Sequence, residues 1–167
     1  MNPTTSTLRR LSFPEDESTF RQVWGWIQQR KRFYAALGGA LDWEQYKARY
    51  QRPGQATLGL WVNDELETLV EVEQIDTGVF EIHAMSRPKA DAEFVRQAVY
   101  TVGWYLFAKF HAQRLLSMVP TFNPRARKLA TDCGMDLRTP AFSSRTEIYG
   151  IDRAEFLRNH QNNATRS

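Results

Sequence analysis

The chain carries a single cysteine, Cys133, so no internal disulfide framework holds it. A reducing compartment, the cytoplasm, is the expectation that follows. No apolar run approaches the ~20 residues a membrane-spanning helix needs, so no membrane partner is expected. Residues 1–7 are polar and hold no apolar signal region. Histidine is scarce: His83, His111 and His160 have no metal-ligand spacing with one another or with Cys133, and no metal site is expected. There is no nucleotide P-loop and no nucleophile elbow. A large excess of one charge is missing as well, with 22 basic against 19 acidic residues leaving +3. A nucleic-acid footprint needs a larger one-sided patch, so no nucleic acid is expected among the partners. The densest basic run, Arg30-Lys31-Arg32, suits a solvated helix end.

What is present is an ordinary globular composition, 42% hydrophobic and 25% charged. Its 167 residues suit one domain with a core and are too few for two comfortable ones. Residues 8–13 read as an edge strand with Leu11 and Phe13 on one face. Residues 15–34 read as one helix. Phe20, Val23, Trp24 and Ile27 form its stripe, with acids at its start and the basic run near its end. Gly38-Gly39 breaks the chain. A second helix over 42–50 carries the aromatic stripe Trp43, Tyr46 and Tyr50, which suits core or pocket. Strands over 57–62, 66–75 and 79–85, joined by short turns, make an antiparallel meander. Glu71 and Glu73 face one way on the middle strand, Val70 and Val72 the other.

The stretch from Phe80 to Met135 organises the rest. On the strand 79–85, Phe80, Ile82 and Ala84 point one way and Glu81, His83 and Met85 the other. Pro88 disfavours helix at Arg87. A long helix then runs over 91–110, with a stripe of Val95, Ala98, Val99, Val102, Leu106 and Phe110. A strand over 115–119 ends at Pro120. Asn123 caps the next helix, Pro124 suits its first position and Gly134 its end. Cys133, near that end, reads as a small buried filler. After a polar stretch with Pro140 come a strand over 146–151 and a helix over 153–160. Residues 1–7 and the tail 161–167 are expected to be disordered. Strand, crossover helix and strand make a parallel βαβ unit. Its ligands sit at the carboxyl ends of the strands, here residues 84–89 facing 120–123.

The segment Asn123-Pro124-Arg125-Ala126-Arg127-Lys128-Leu129, followed by Cys133-Gly134-Met135, resembles the closing motif of the GCN5-related N-acetyltransferase (GNAT) superfamily. That motif reads Asn-x-x-Ala-x-x-Leu-Tyr-x-x-x-Gly-Phe. Asn123, Ala126, Leu129 and Gly134 match in register, Met135 replaces Phe and Ala130 replaces Tyr. The order of elements from about Leu8 to Ile151 also agrees. The resemblance implies an α+β fold of three layers, α/β/α, over residues 1–160, with a mixed sheet whose central parallel pair splays apart. It implies acetyl transfer from acetyl-coenzyme A, as cosubstrate, to the amine of a small molecule or protein, and allows a homodimer. An alternative is a GNAT-fold binding or structural protein without catalysis, as in phage-encoded and virion-associated members.

Acetyl transfer needs a base for the amine, a donor to the developing oxyanion and an acid for the thiolate. Glu81 and His83 share a strand face, and the family places its base there, so both are catalytic candidates. A Glu among apolar neighbours has a raised pKa, which suits a base. The same two residues also suit a purely structural pair. Glu71 and Glu73 are further candidates. Towards the cofactor, the backbone at Ala84 and Met85 suits the pantetheine arm, and Asn123 suits either a cofactor contact or its capping role. Arg87 and Lys89 are the cations nearest the pyrophosphate. The family's Arg/Gln-x-x-Gly-x-Gly/Ala loop is replaced by Arg87-Pro88-Lys89-Ala90-Asp91-Ala92-Glu93-Phe94, without glycine and with two acids at the helix start. Weak binding follows, with a dissociation constant on the order of 100 μM or above.

Overall fold

The computed structural model describes residues 5–39, 42–143 and 145–164. In chain order its elements are β1 (Ser6–Leu11), α1 (Glu17–Gln29), α2 (Lys31–Ala36), α3 (Trp43–Tyr50), β2 (Gln55–Val62), β3 (Glu65–Asp76) and β4 (Val79–Ser86). There follow α4 (Ala92–Lys109), β5 (Arg114–Pro120), α5 (Pro124–Asp132), β6 (Asp136–Ser143), β7 (Thr146–Asp152) and α6 (Arg153–Ala164). The strands form one mixed sheet in the order β1-β2-β3-β4-β5-β7-β6. Every neighbouring pair is antiparallel except β4 and β5, which run parallel with α4 crossing between them. This is the mixed sheet and parallel pair that the sequence implied.

Side-chain alternation divides the interior into two cores. Val70, Val72, Phe80 and Ile82 pack with Val102 and Leu106 of α4, Ala130 of α5 and Phe156 of α6. Leu66 and Leu69 pack with Phe20, Val23, Trp26 and Ile27 of α1 and Tyr46 of α3. The Trp43, Tyr46 and Tyr50 stripe is therefore core, with Tyr46 fully buried. On α1 the buried indole is Trp26, and Trp24 is only half-buried.

The single helix expected over 15–34 is two. Arg30, at φ −130° and ψ 33°, breaks it. The next positions on the Phe20–Val23–Ile27 stripe are Arg30 and Lys31, which have nothing apolar to offer the core. A fresh start at Lys31 brings Phe33 and Tyr34 round instead. Phe110 is a second correction: it caps α4 and stands 55% exposed, packed on Tyr105, where the stripe had placed it inside. The polar stretch with Pro140 forms the edge strand β6, since β7 offers it a free ladder. Ser6 and Thr7, expected to be disordered, pair with Val62 and Trp61. Residues 161–164 extend α6 rather than forming a tail, while 1–4 and 165–167 lie outside the described residues. Gly134 ends α5 at φ +80°, where a Cβ would lie 2.8 Å from the Asn159 amide.

Leu115 on β5 is 2% exposed and packs against Gly103 of α4. Leu115→Ala is expected to cost about 2–5 kcal/mol. Denaturant unfolding should show a lower midpoint with an unchanged slope.

Candidate active site

The pairing of β4 with β5 lasts three residues: Val79 with Arg114, Phe80 with Leu115 and Glu81 with Leu116. Beyond Glu81 the strands part, although each keeps its outer neighbour to its end. β4 stays on β3 as far as Ser86, and β5 stays on β7 as far as Pro120. A cavity of about 1190 Å³ occupies the split and reaches the helices on both faces of the sheet. Residues 82–86 of β4 and 117–120 of β5 line it, with parts of α1, α2 and α5. Within it, the edge of β4 towards β5 has backbone groups with no strand partner among the described residues.

At the apex of the split stand Glu81 and His83, both on the cavity wall. His83 Nε2 lies 2.9 Å from Glu81 Oε1, and each side chain is 15% exposed. Burial pushes the Glu81 carboxyl up, but the hydrogen bond and charge of His83 outweigh it, and the net pKa is lowered. The expectation of a raised Glu81 is thus overturned. The raised carboxyl is its neighbour Glu71, which sits opposite His83 on β3. Glu71 is lifted first by burial, against Arg49 and His83, which lower it, and with Glu73 and Glu81, which raise it further. Arg49 of α3 holds Glu71 Oε2 at 3.2 Å. Oε1 of Glu71 is buried without a hydrogen-bond partner, as are the Tyr46 and Tyr50 hydroxyls. Tyr34 of α2 also lines the cavity, and its phenol pKa is raised by burial and then by Glu71.

The predicted cofactor residues divide. Ala84 and Met85 lie on the free edge of β4 and line the cavity, though the Met85 carbonyl already accepts the Thr68 hydroxyl at 3.1 Å. Asn123 lines it too, but its Oδ1 accepts the Ala126 N–H at 3.2 Å, which is the capping role. Arg87 reaches the cavity with its guanidinium taken, Nε donating to Glu67 Oε2 at 2.5 Å. Lys89 sits in the turn before α4 at φ 64°. Ala130 lines the cavity where the resembled motif has Tyr. Tyr100 is stacked on Phe156, Tyr105 is exposed, and the Tyr149 hydroxyl is bound to Glu147, so none of the three replaces it. The thioester-bearing arm of acetyl-coenzyme A fits the split, because an extended chain can pair with an unpaired strand edge. Its diphosphate does not fit the start of α4, where carboxylates take the amides.

Arg49, Tyr34 and Glu67 escaped sequence reading. Arg49 lies in a charged stretch of α3, and only the fold brings it over β3. Tyr34 depends on the break at Arg30 and on Gly39, where a Cβ would stand 2.2 Å from the Tyr34 ring. Glu67 had a signal available: it is the one charged residue in the run Leu66-Glu67-Thr68-Leu69-Val70, which buries it at 1% exposure. Cys133 is the buried filler expected, its thiol raised to about 12 chiefly by burial.

No protein-family model matches the chain, and no curated protein matches it in sequence. Solved structures do. A domain from Methanocaldococcus jannaschii superposes with a TM-score of 0.74 at 16% identity, over 90% of this chain and 99% of that one. A variant of the spermidine N-acetyltransferase SpeG from Vibrio cholerae gives 0.72 at 17% identity, over 93% and 98%. A dodecameric form of spermidine N-acetyltransferase from the same organism gives 0.69 at 16% identity, over 92% and 97%. The likeness shows the fold, the GNAT fold that the sequence motif implied.

A carboxyl whose folded pKa is lowered adds stability above its unfolded value and loses it as pH falls through the folded one. Glu81 is of this kind. Wild type should therefore exceed Glu81→Gln by a constant margin above about pH 4.5, the ordinary carboxyl value, and the margin should shrink below it. Denaturant midpoints of both proteins across acid pH provide the measurement. Glu71, with its raised pKa, has the opposite sign, and because Glu81 is one of the charges that raise it, both proteins carry Glu71→Gln in this measurement.

Proposed function

We propose that the chain transfers an acetyl group from an acyl thioester, acetyl-coenzyme A, to a positively charged amine. The observation that carries this reading is the parting of β4 from β5 with an acid–base pair at its apex. The thioester arm enters the split as an added strand against Ala84 and Met85. The amine approaches from the side of α1, α2 and α3. Glu71, with one oxygen unpartnered, offers the nitrogen a hydrogen-bond acceptor on that side. The spermidine N-acetyltransferases that share the fold act on an amine of this kind, which supports the choice.

Glu81, kept ionised, accepts the Nε2–H of His83 and so leaves Nδ1 to take a proton from the amine. The amine nitrogen then bonds to the carbonyl carbon, and a backbone N–H at the end of β4 steadies the oxyanion. The carbon–sulfur bond breaks as the tetrahedral carbon collapses. The imidazolium returns its proton to the departing sulfur, through water where needed, which fills the role of the missing Tyr. Reactants and products balance: ammonium and thioester become amide, thiol and one proton, which the attacking nitrogen releases to solvent as the amide forms.

A second reading, binding without turnover, is favoured by Ala130 at the usual acid's position. Thiol release from acetyl-coenzyme A in the presence of primary amines separates the two. On the first reading, Glu81→Gln and His83→Ala each lower kcat by about a hundredfold, with little change in KM for the thioester. The acid limb of the pH–rate profile also flattens. Wild-type rates in both variants would remove the pair from the chemistry.

A further inference from the structure

Glu67 of β3 fills the place at the start of α4 where a donor's phosphate would rest. Its Oε1 accepts the Asp91 N–H at 2.6 Å and its Oε2 the Arg87 guanidinium at 2.5 Å. Its side chain is 2% exposed, so it has no solvated position to retreat to without losing both bonds. Three neighbouring amides are committed as well. Arg87 N–H donates to the Glu67 carbonyl at 3.0 Å, and Ala90 N–H to the Arg87 carbonyl at 3.1 Å. The Asp91 carboxylate takes the Glu93 N–H at 2.8 Å. Glu93 in turn holds Arg96. The turn therefore presents carboxylates beside these amides, and of its two cations Arg87 is neutralised by Glu67 while Lys89 sits exposed.

We propose that Glu67 is an internal substitute for the phosphate next to the donor's pantetheine arm, so that phosphate contributes nothing to the choice of acyl donor. This rests on the acyl-thioester reading above. An incoming phosphate would have to displace a buried, doubly bonded carboxylate of its own sign, and gains nothing by doing so. Glu67 thereby sets donor specificity without touching the reacting atoms. Arg125 of α5 also borders the cavity and offers a cation to more distant phosphates of coenzyme A. The informative probes are therefore two that differ at a single phosphate next to the arm.

Calorimetry with pantetheine and 4′-phosphopantetheine on the whole chain tests this. In wild type the two dissociation constants are expected to agree within about threefold, less than the 1.4 kcal/mol that makes a tenfold difference. Glu67→Gln keeps an acceptor for the Asp91 N–H and removes the charge. It should tighten 4′-phosphopantetheine by about tenfold and leave pantetheine unchanged. If that variant fails to fold, the wild-type comparison decides alone. A wild type that binds 4′-phosphopantetheine tenfold or more tightly than pantetheine overturns the assignment of Glu67 and leaves the acyl-thioester reading standing. Failure of both probes to bind at millimolar concentration overturns the acyl-thioester reading, and this inference with it.

Discussion

β4 has two strand neighbours for its first three residues and one for the rest, and the functional architecture depends on that change. Holding β4 and β5 apart beyond Glu81 forgoes ladder hydrogen bonds that a regular sheet would make. The outer neighbours allow it, because β3 and β7 grip the two strands along their full lengths. The helices complete it, since each core packs against one face of the sheet and neither fills the gap. The result is a cavity that reaches both faces, so it can be entered from either side of the sheet.

Charge around the split is organised by Arg49. It stands over the strands β3 and β4, and its pKa, lowered by burial, is raised overall by Glu71, Tyr34, Glu73 and Glu81. One guanidinium thus serves a patch of carboxylates that would otherwise repel one another in a poorly hydrated place. The balance is uneven. Glu81 gains His83 as a second partner and stays ionised, whereas Glu71 is left with a free oxygen and a raised pKa. Two carboxyls on adjacent strands are driven apart in acidity by their surroundings, the pattern from which acid and base roles are built.

Local signals carried most of the fold. The α4 stripe, the Pro120 stop, the Asn123 cap and Gly134 are one-dimensional features, and each marked its element within a residue or two. The parallel pair followed from them because a crossover helix constrains its strands. What sequence could not supply were contacts between distant segments. The break at Arg30 is explained by an absence of apolar residues that becomes decisive only against a known core. Glu81 and His83 were legible as a pair because they lie two apart on one strand. The acidity of Glu81 was not, since His83 reverses the effect of burial. Arg49 and Glu67 act across 22 and 20 positions of chain respectively, to Glu71 and Arg87. No periodicity reports such distances.

The short helix α2 contributes no buried residue, yet it forms one wall of the cavity through Tyr34. Tyr34 packs beside the core of α1 and α3 and Phe33 stacks on Phe122 at 5.5 Å, so two aromatic rings hold this wall in place. The wall thus rests on partly buried rings, whereas β4, β5 and α4 are tied into the sheet and its core. Substitutions in α2 can therefore reshape the cavity on this side while β4, β5 and α4 remain under packing constraint. A chain built this way can change the lining of its cavity before it changes its fold.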